Sequence, residues 1–95
     1  LGALEGNAAT ADVEAMVGRL MDVMEREIEG ATPARDDSGP DSIVRLDLDS
    51  LALIGFLVAV EDEFRIEWDP DVEVEVMRSF DAMAQHLLGR GVSPA

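Results

Sequence analysis

The stretch that decides the fold is LDLDSLALIGFLVAVEDEF, Leu46 to Phe64. Two acids, Asp47 and Asp49, lead into Ser50; the ten residues from Leu51 to Val60 carry no charge; Glu61, Asp62 and Glu63 follow at once. Leu51 to Phe64 has the length of a helix. Its apolar residues fall in two interleaved sets at helical spacing, Leu51, Ile54 and Val58 against Leu53, Leu57, Val60 and Phe64. A helix apolar over so much of its circumference is central to the fold or turns one flank toward another molecule. Gly55 lies off the Leu51, Ile54 and Val58 stripe, a spacing that favours a place facing partners over one facing the core, where it would let another element approach closely. Ser50 stands where the helix begins, a position at which Ser and Asp commonly serve as caps. The acidic triplet stands where it ends, and there the helix dipole disfavours each acid by a few tenths of a kcal/mol up to about 1 kcal/mol. Either a docking surface for Arg-rich partners offsets that cost, or the triplet is a plain solvated face.

Upstream, Val13, Val17, Leu20, Met24 and Ile28 recur at spacings of three and four opposite Glu14, Arg19, Asp22, Glu25 and Arg26, the pattern of an amphipathic helix. Thr10 is its expected N-cap and Gly30 its expected stop. Residues 1–9 are small and uncommitted, a disordered or vector-derived end. The chain begins with Leu1 and not Met, so a processed product or an excised piece of a longer protein is expected. Residues 30–45 hold two Pro, two Gly and two Ser and form a long loop that Ile43, Val44 and Leu46 pin to the core. Downstream, Asp69 to Met77 alternates acid and Val as a strand would, yet a lone strand has nothing to pair with among helices, so a loop with a short helix is expected. Ser79 caps a last helix that turns Phe80, Met83, Leu87 and Leu88 inward and stops at Gly89 or Gly91. The folded domain is placed at residues 10–89, with a tail at 90–95.

At 95 residues the chain is one domain, able to bury about 60–65% of its unfolded surface in a single modest core. Twenty-one acids against seven bases, all Arg, give a formal charge of −14. This excludes a nucleic-acid footprint and implies basic protein partners, met at rates that fall as salt rises. The Leu51–Val60 run is too short to cross a bilayer and no signal segment opens the chain, so a cytoplasmic monomer is expected. With no Cys, no Tyr and one His, the chain lacks the groups of covalent and acid–base catalysis, so it is not expected to be an enzyme. Its acidic clusters lack the spacing of a calcium loop, and no metal site is assigned. His86 is expected on the boundary face of the last helix, without a role. Trp68 is expected as a buried lid over the end of the second helix.

Around Asp49-Ser50-Leu51 the chain resembles acyl and peptidyl carrier proteins. The resemblance runs from about Thr10 to Leu88 and includes Ser50-Leu51, the acids Glu61, Asp62 and Glu63 before Phe64, then Ile66 and the Pro70-Asp71 turn. It implies a small all-α four-helix bundle with a short third helix. It also implies that Ser50 carries 4′-phosphopantetheine, transferred from coenzyme A by a Mg²⁺-dependent phosphopantetheinyl transferase that recognises Asp49. The arm would then hold an acyl or aminoacyl group as a thioester for loading and downstream enzymes with basic docking patches, met by Leu51, Ile54, Gly55, Glu61, Asp62 and Glu63. Fatty-acid carriers usually show Gly where this chain has Asp47, and acids where it has Ala52 and Gly55. The Leu51 to Gly55 run is more similar to discrete carriers of specialised polyketide, nonribosomal-peptide or related biosynthesis. The alternatives are a non-carrier acidic helical interaction module and, more remotely, an acidic metal buffer.

Overall fold

The computed structural model describes residues 2–94, with side chains from Ala11 to Pro94; Leu1 and Ala95 lie outside the described residues. Three α-helices, α1 (Gly2–Glu27), α2 (Ser50–Phe64) and α3 (Phe80–Gly89), are joined by connections carrying 3-10 turns at Val44–Leu46 and Val74–Met77. No strand occurs among the described residues, as expected for the acid–Val alternation of Asp69 to Met77. The expected short third helix is a 3-10 turn of four residues. Val is a poor helix former, and the acid pairs Asp69/Glu73 and Asp71/Glu75 would repel at i,i+4 spacing on a helix, so one tight turn is all this segment forms. The helix cap expected at Thr10 is corrected too, because α1 is already helical from Gly2. Ala3, Leu4, Glu5, Ala8 and Ala9 favour a helix there.

The core is drawn from all three helices. Met16, Leu20, Met21, Val23 and Met24 of α1 meet Phe56 and Val60 of α2 and Phe80, Met83 and Leu87 of α3, each fully buried or nearly so. Burying a side chain of this size stabilises by about 1.5–3 kcal/mol relative to leaving it exposed. Phe56 and Phe80 meet edge to face, with ring centroids 6.3 Å apart, the arrangement that aromatic quadrupoles favour.

The long loop after α1 is tied down by polar bonds as well as apolar ones. Ile43 is buried and Leu46 half-buried as expected, but Val44 is exposed. Arg45 donates to both Asp37 oxygens, at 3.0 and 2.6 Å, a two-pronged geometry that fixes a guanidinium well. The same loop completes the start of α3, whose first amides have no partner within the helix. The Phe80 amide donates to Ser42 Oγ at 3.0 Å and the Asp81 amide to the Ser38 carbonyl at 2.9 Å. Ser79 supplies the cap, its Oγ accepting from the Ala82 amide at 3.0 Å.

Candidate functional site

The start of α2 is built by a backbone that turns sharply just before it. Asp47 closes the first 3-10 turn in the left-handed region, at φ 53° and ψ 44°. Asp49 then runs extended, at φ −72° and ψ 170°, and caps α2. Its Oδ1 accepts from the Ala52 amide at 2.7 Å, and its carbonyl from the Leu53 amide at 3.0 Å. The cap is therefore Asp49, and Ser50 is the first residue of the helix. Ser50 is exposed, and its hydroxyl makes no hydrogen bond among the described residues. It stands at the positive end of the helix dipole, next to the unbonded amides of the first turn, a setting favourable to a negatively charged substituent.

Along α2 the two apolar sets separate cleanly. Phe56, Ala59 and Val60 are buried, with Leu53, Leu57 and Phe64 packed partly against them. Leu51, Ile54 and Val58 remain 80%, 57% and 48% exposed. Gly55 is exposed beside them, and a Cβ there would lie 3.7 Å from Ile28 Cδ1, an ordinary contact. An uncharged, outward-facing apolar flank thus runs directly from Ser50.

The acidic triplet is not one surface. Glu63 reaches back to α1, accepting from Arg19 at 2.7 Å and from Arg26 at 3.0 Å. These two hydrogen bonds, Arg19 first, hold its carboxyl below the usual glutamate range. Arg19 also lies over the Phe64 ring, 4.6 Å from its centroid. Glu61 turns the other way, its Oε2 accepting from the Trp68 amide at 2.9 Å. Asp62 points to solvent. The cost of acids at a helix C-terminus is thus offset partly inside the molecule, by arginines far away in sequence. Glu67, Asp69, Asp71, Glu73 and Glu75 are all exposed, and none is in an ion pair among the described residues. Trp68 lies over α2 with its indole Nε1 donating to the Leu57 carbonyl at 3.0 Å, but it is half-buried and not the buried lid expected.

Arg19, Arg26 and the left-handed Asp47 were not singled out by sequence reasoning as parts of this arrangement. Arg19 and Arg26 lie on the polar face of α1, and the signal for them was the lack of any other basic residue between Glu14 and Arg35. For Asp47 the signal was its place as a short polar residue just ahead of a helix, where Asp tolerates the left-handed region.

No family model matches the chain, and no solved structure does. A curated relative does: the chain is 32% identical over 89 residues to the acyl carrier protein of Streptomyces coelicolor, an alignment covering 92% of this chain and 94% of the relative. Identity of that level across nearly the whole of both chains, in an all-helical molecule, places this chain in the acyl carrier protein family.

Proposed function

We propose that the chain holds an acyl or aminoacyl group as a thioester on a 4′-phosphopantetheine arm attached to Ser50, and delivers it to enzymes of a polyketide, nonribosomal-peptide or related pathway. The observation that carries this reading is that Ser50 opens α2 with its hydroxyl exposed and unbonded while Asp49 does the capping. The residues present fit the group. A phosphodiester on Ser50 would meet the free amides and positive dipole of the first helical turn, and nothing in the helix depends on the hydroxyl. When bound, the arm supplies the thiol that a cysteine-free chain lacks. The chain itself supplies position: Asp49 fixes the start of the helix and offers a carboxylate to the transferase, and the fold keeps Ser50 clear of the core.

On α2 the partner-facing set is Leu51, Ile54, Gly55 and Asp62. Glu61 and Glu63 add to the negative field, although their carboxylates are engaged within the chain. Basic patches on the loading and downstream enzymes would be drawn by that field and by the unpaired acids from Glu67 to Glu75. No described helix is long and apolar enough to cross a membrane, and we place the protein in the cytoplasm with its partner enzymes.

Intact mass after incubation with coenzyme A and a broad-specificity phosphopantetheinyl transferase tests the reading. One phosphopantetheine should add to the wild type and none to Ser50→Ala. An addition that survives the substitution would move the site, and no addition to a folded wild type would favour a non-carrier interaction module.

A further inference from the structure

Of the seven Arg residues, Arg65 and Arg90 alone are in no ion pair among the described residues, although acids outnumber bases three to one. Both line one open cavity of about 400 Å³ at the end of α2 remote from Ser50, together with Arg19 and Glu63. Three elements thus bring one guanidinium each to the same place: α1, the end of α2 and the end of α3. Glu63 is the single acid of the lining, and Arg19 and Arg26 engage it. Asp62 and Glu67 lie close to Arg65 in sequence, yet both stay exposed and neither pairs with it. Nor do the helix ends claim the two guanidiniums. The Arg65 and Ile66 amides close α2 onto the Glu61 carbonyl, and the Gly91 and Val92 amides close α3 onto the Leu88 and Leu87 carbonyls. Arg90 donates one N–H, from Nη1, to the Glu67 carbonyl at 2.8 Å. The Arg65 guanidinium makes no hydrogen bond among the described residues. Its backbone lies in the left-handed region, at φ 56° and ψ 51°, which Gly enters freely and a long side chain only at a cost. A strained residue whose side chain offsets none of that cost within the fold points to a use outside it.

We propose that Arg19, Arg65 and Arg90 form a binding site for a phosphate dianion, free or as the monoester end of a small molecule. Three positive charges face one negative, an excess that matches a dianion. A phosphate monoester gathers its charge and three acceptor oxygens on one centre, so guanidinium forks from three elements can meet it together. A dicarboxylate spreads the same charge over two centres. The net charge of −14 does not decide the matter, because at physiological ionic strength charges beyond about 8 Å are largely screened. The site is independent of whether Ser50 carries a group: it lies about 22 Å from Ser50 along α2, at 1.5 Å per residue.

The test titrates the ¹⁵N-labelled full chain with inorganic phosphate, glycerol 3-phosphate and succinate in turn. It is run at about pH 7, where a phosphate monoester is mostly dianionic, with sodium chloride holding the ionic strength constant. The expected result is saturable NMR shifts at the Arg65 and Arg90 Nε–H and at the amides of residues 63–66 and 90–93 with phosphate, and none with succinate. Saturation by glycerol 3-phosphate as well assigns a monoester; saturation by inorganic phosphate alone assigns the free ion. Arg65→Gly should raise the thermal midpoint, since Gly suits the left-handed cap, and yet weaken phosphate binding about tenfold or more. Arg90→Gln should weaken it similarly. Linear shifts spread over all the arginines, shifts centred on residues 50–53, equal binding of succinate, or wild-type phosphate binding by Arg65→Gly would each overturn the site. A lowered midpoint in Arg65→Gly would overturn it too, by showing that the Arg65 side chain serves the fold.

Discussion

Asp49 caps the helix on which Ser50 is the first residue, so the two neighbours divide between them the tasks of starting α2 and offering a free hydroxyl. Removing the cap with Asp49→Ala should cost about 0.5–2 kcal/mol. Asp49→Asn should recover most of that, because an amide oxygen accepts the Ala52 amide equally well. Ser50→Ala should stay within about 0.5 kcal/mol of wild type, as expected for a surface change that removes no bond. Urea midpoints of the three variants check the division, and a Ser50→Ala variant as unstable as Asp49→Ala would refute it.

Glu63 makes an acid-labile tie between α2 and α1. Its pKa is lowered in the folded chain by the hydrogen bonds from Arg19 and Arg26, so the folded state favours the ionised form. The stabilisation is complete above the unfolded glutamate pKa and is lost as the pH falls through the folded one. For partly exposed pairs of this kind, Glu63→Gln should cost about 0.5–1 kcal/mol at neutral pH. The gap between wild type and variant should hold above the ordinary glutamate range and narrow progressively as the pH falls below it, through the lowered folded pKa. A gap that persists in acid would mean that the side chain packs and does not pair. Parallel denaturation curves across that range make the comparison, and subtracting the variant removes the general effect of neutralising other acids.

Asp47 occupies the left-handed region at φ 53°, and this explains how the chain departs from the Gly usual in fatty-acid carriers without losing the turn into α2. Asp is among the few side chains that enter this region readily. Asp47→Gly should therefore be neutral or mildly stabilising, while a β-branched Asp47→Val should cost about 1–2 kcal/mol. Thermal unfolding of the pair checks it; equal stability of the two would show that the turn relaxes elsewhere.

Much of this arrangement is readable from local pattern. The Ser79 cap and the separation of the two apolar sets of α2 follow from turn chemistry and spacing, and the absence of a strand between Asp69 and Met77 follows from the want of anything for it to pair with. The choice of Asp49 over Ser50 as cap is different: both residues suit that position, and it is Asp49 that takes the extended ψ of a cap, two residues after the left-handed Asp47. The fate of the acidic triplet depends on Arg19 and Arg26, whose approach is set by how α1 packs on α2. No window around Glu63 contains that information. Proposed roles in modification and docking rest on chemistry between molecules, to which one chain contributes a single surface.

Gly55 separates the needs of the fold from those of a partner. It is exposed, and a methyl group there would make only an ordinary contact with Ile28 Cδ1 at 3.7 Å. Helix propensity favours Ala over Gly by roughly 1 kcal/mol. Gly55→Ala should thus stabilise the chain by up to about that amount, and a destabilised variant would show that the backbone here must stay bare for packing. If the fold gains from Ala, the bare position serves something that approaches from outside, next to Leu51 and Ile54. On the carrier reading, Gly55→Glu should leave the phosphopantetheine addition at Ser50 largely intact while slowing cargo loading, because a charged side chain would rise from an otherwise uncharged flank. Comparing mass addition with loading rate on the same variant distinguishes the two effects: a parallel loss in both would place Gly55 in transferase recognition, and no loss in either would remove it from the docking surface.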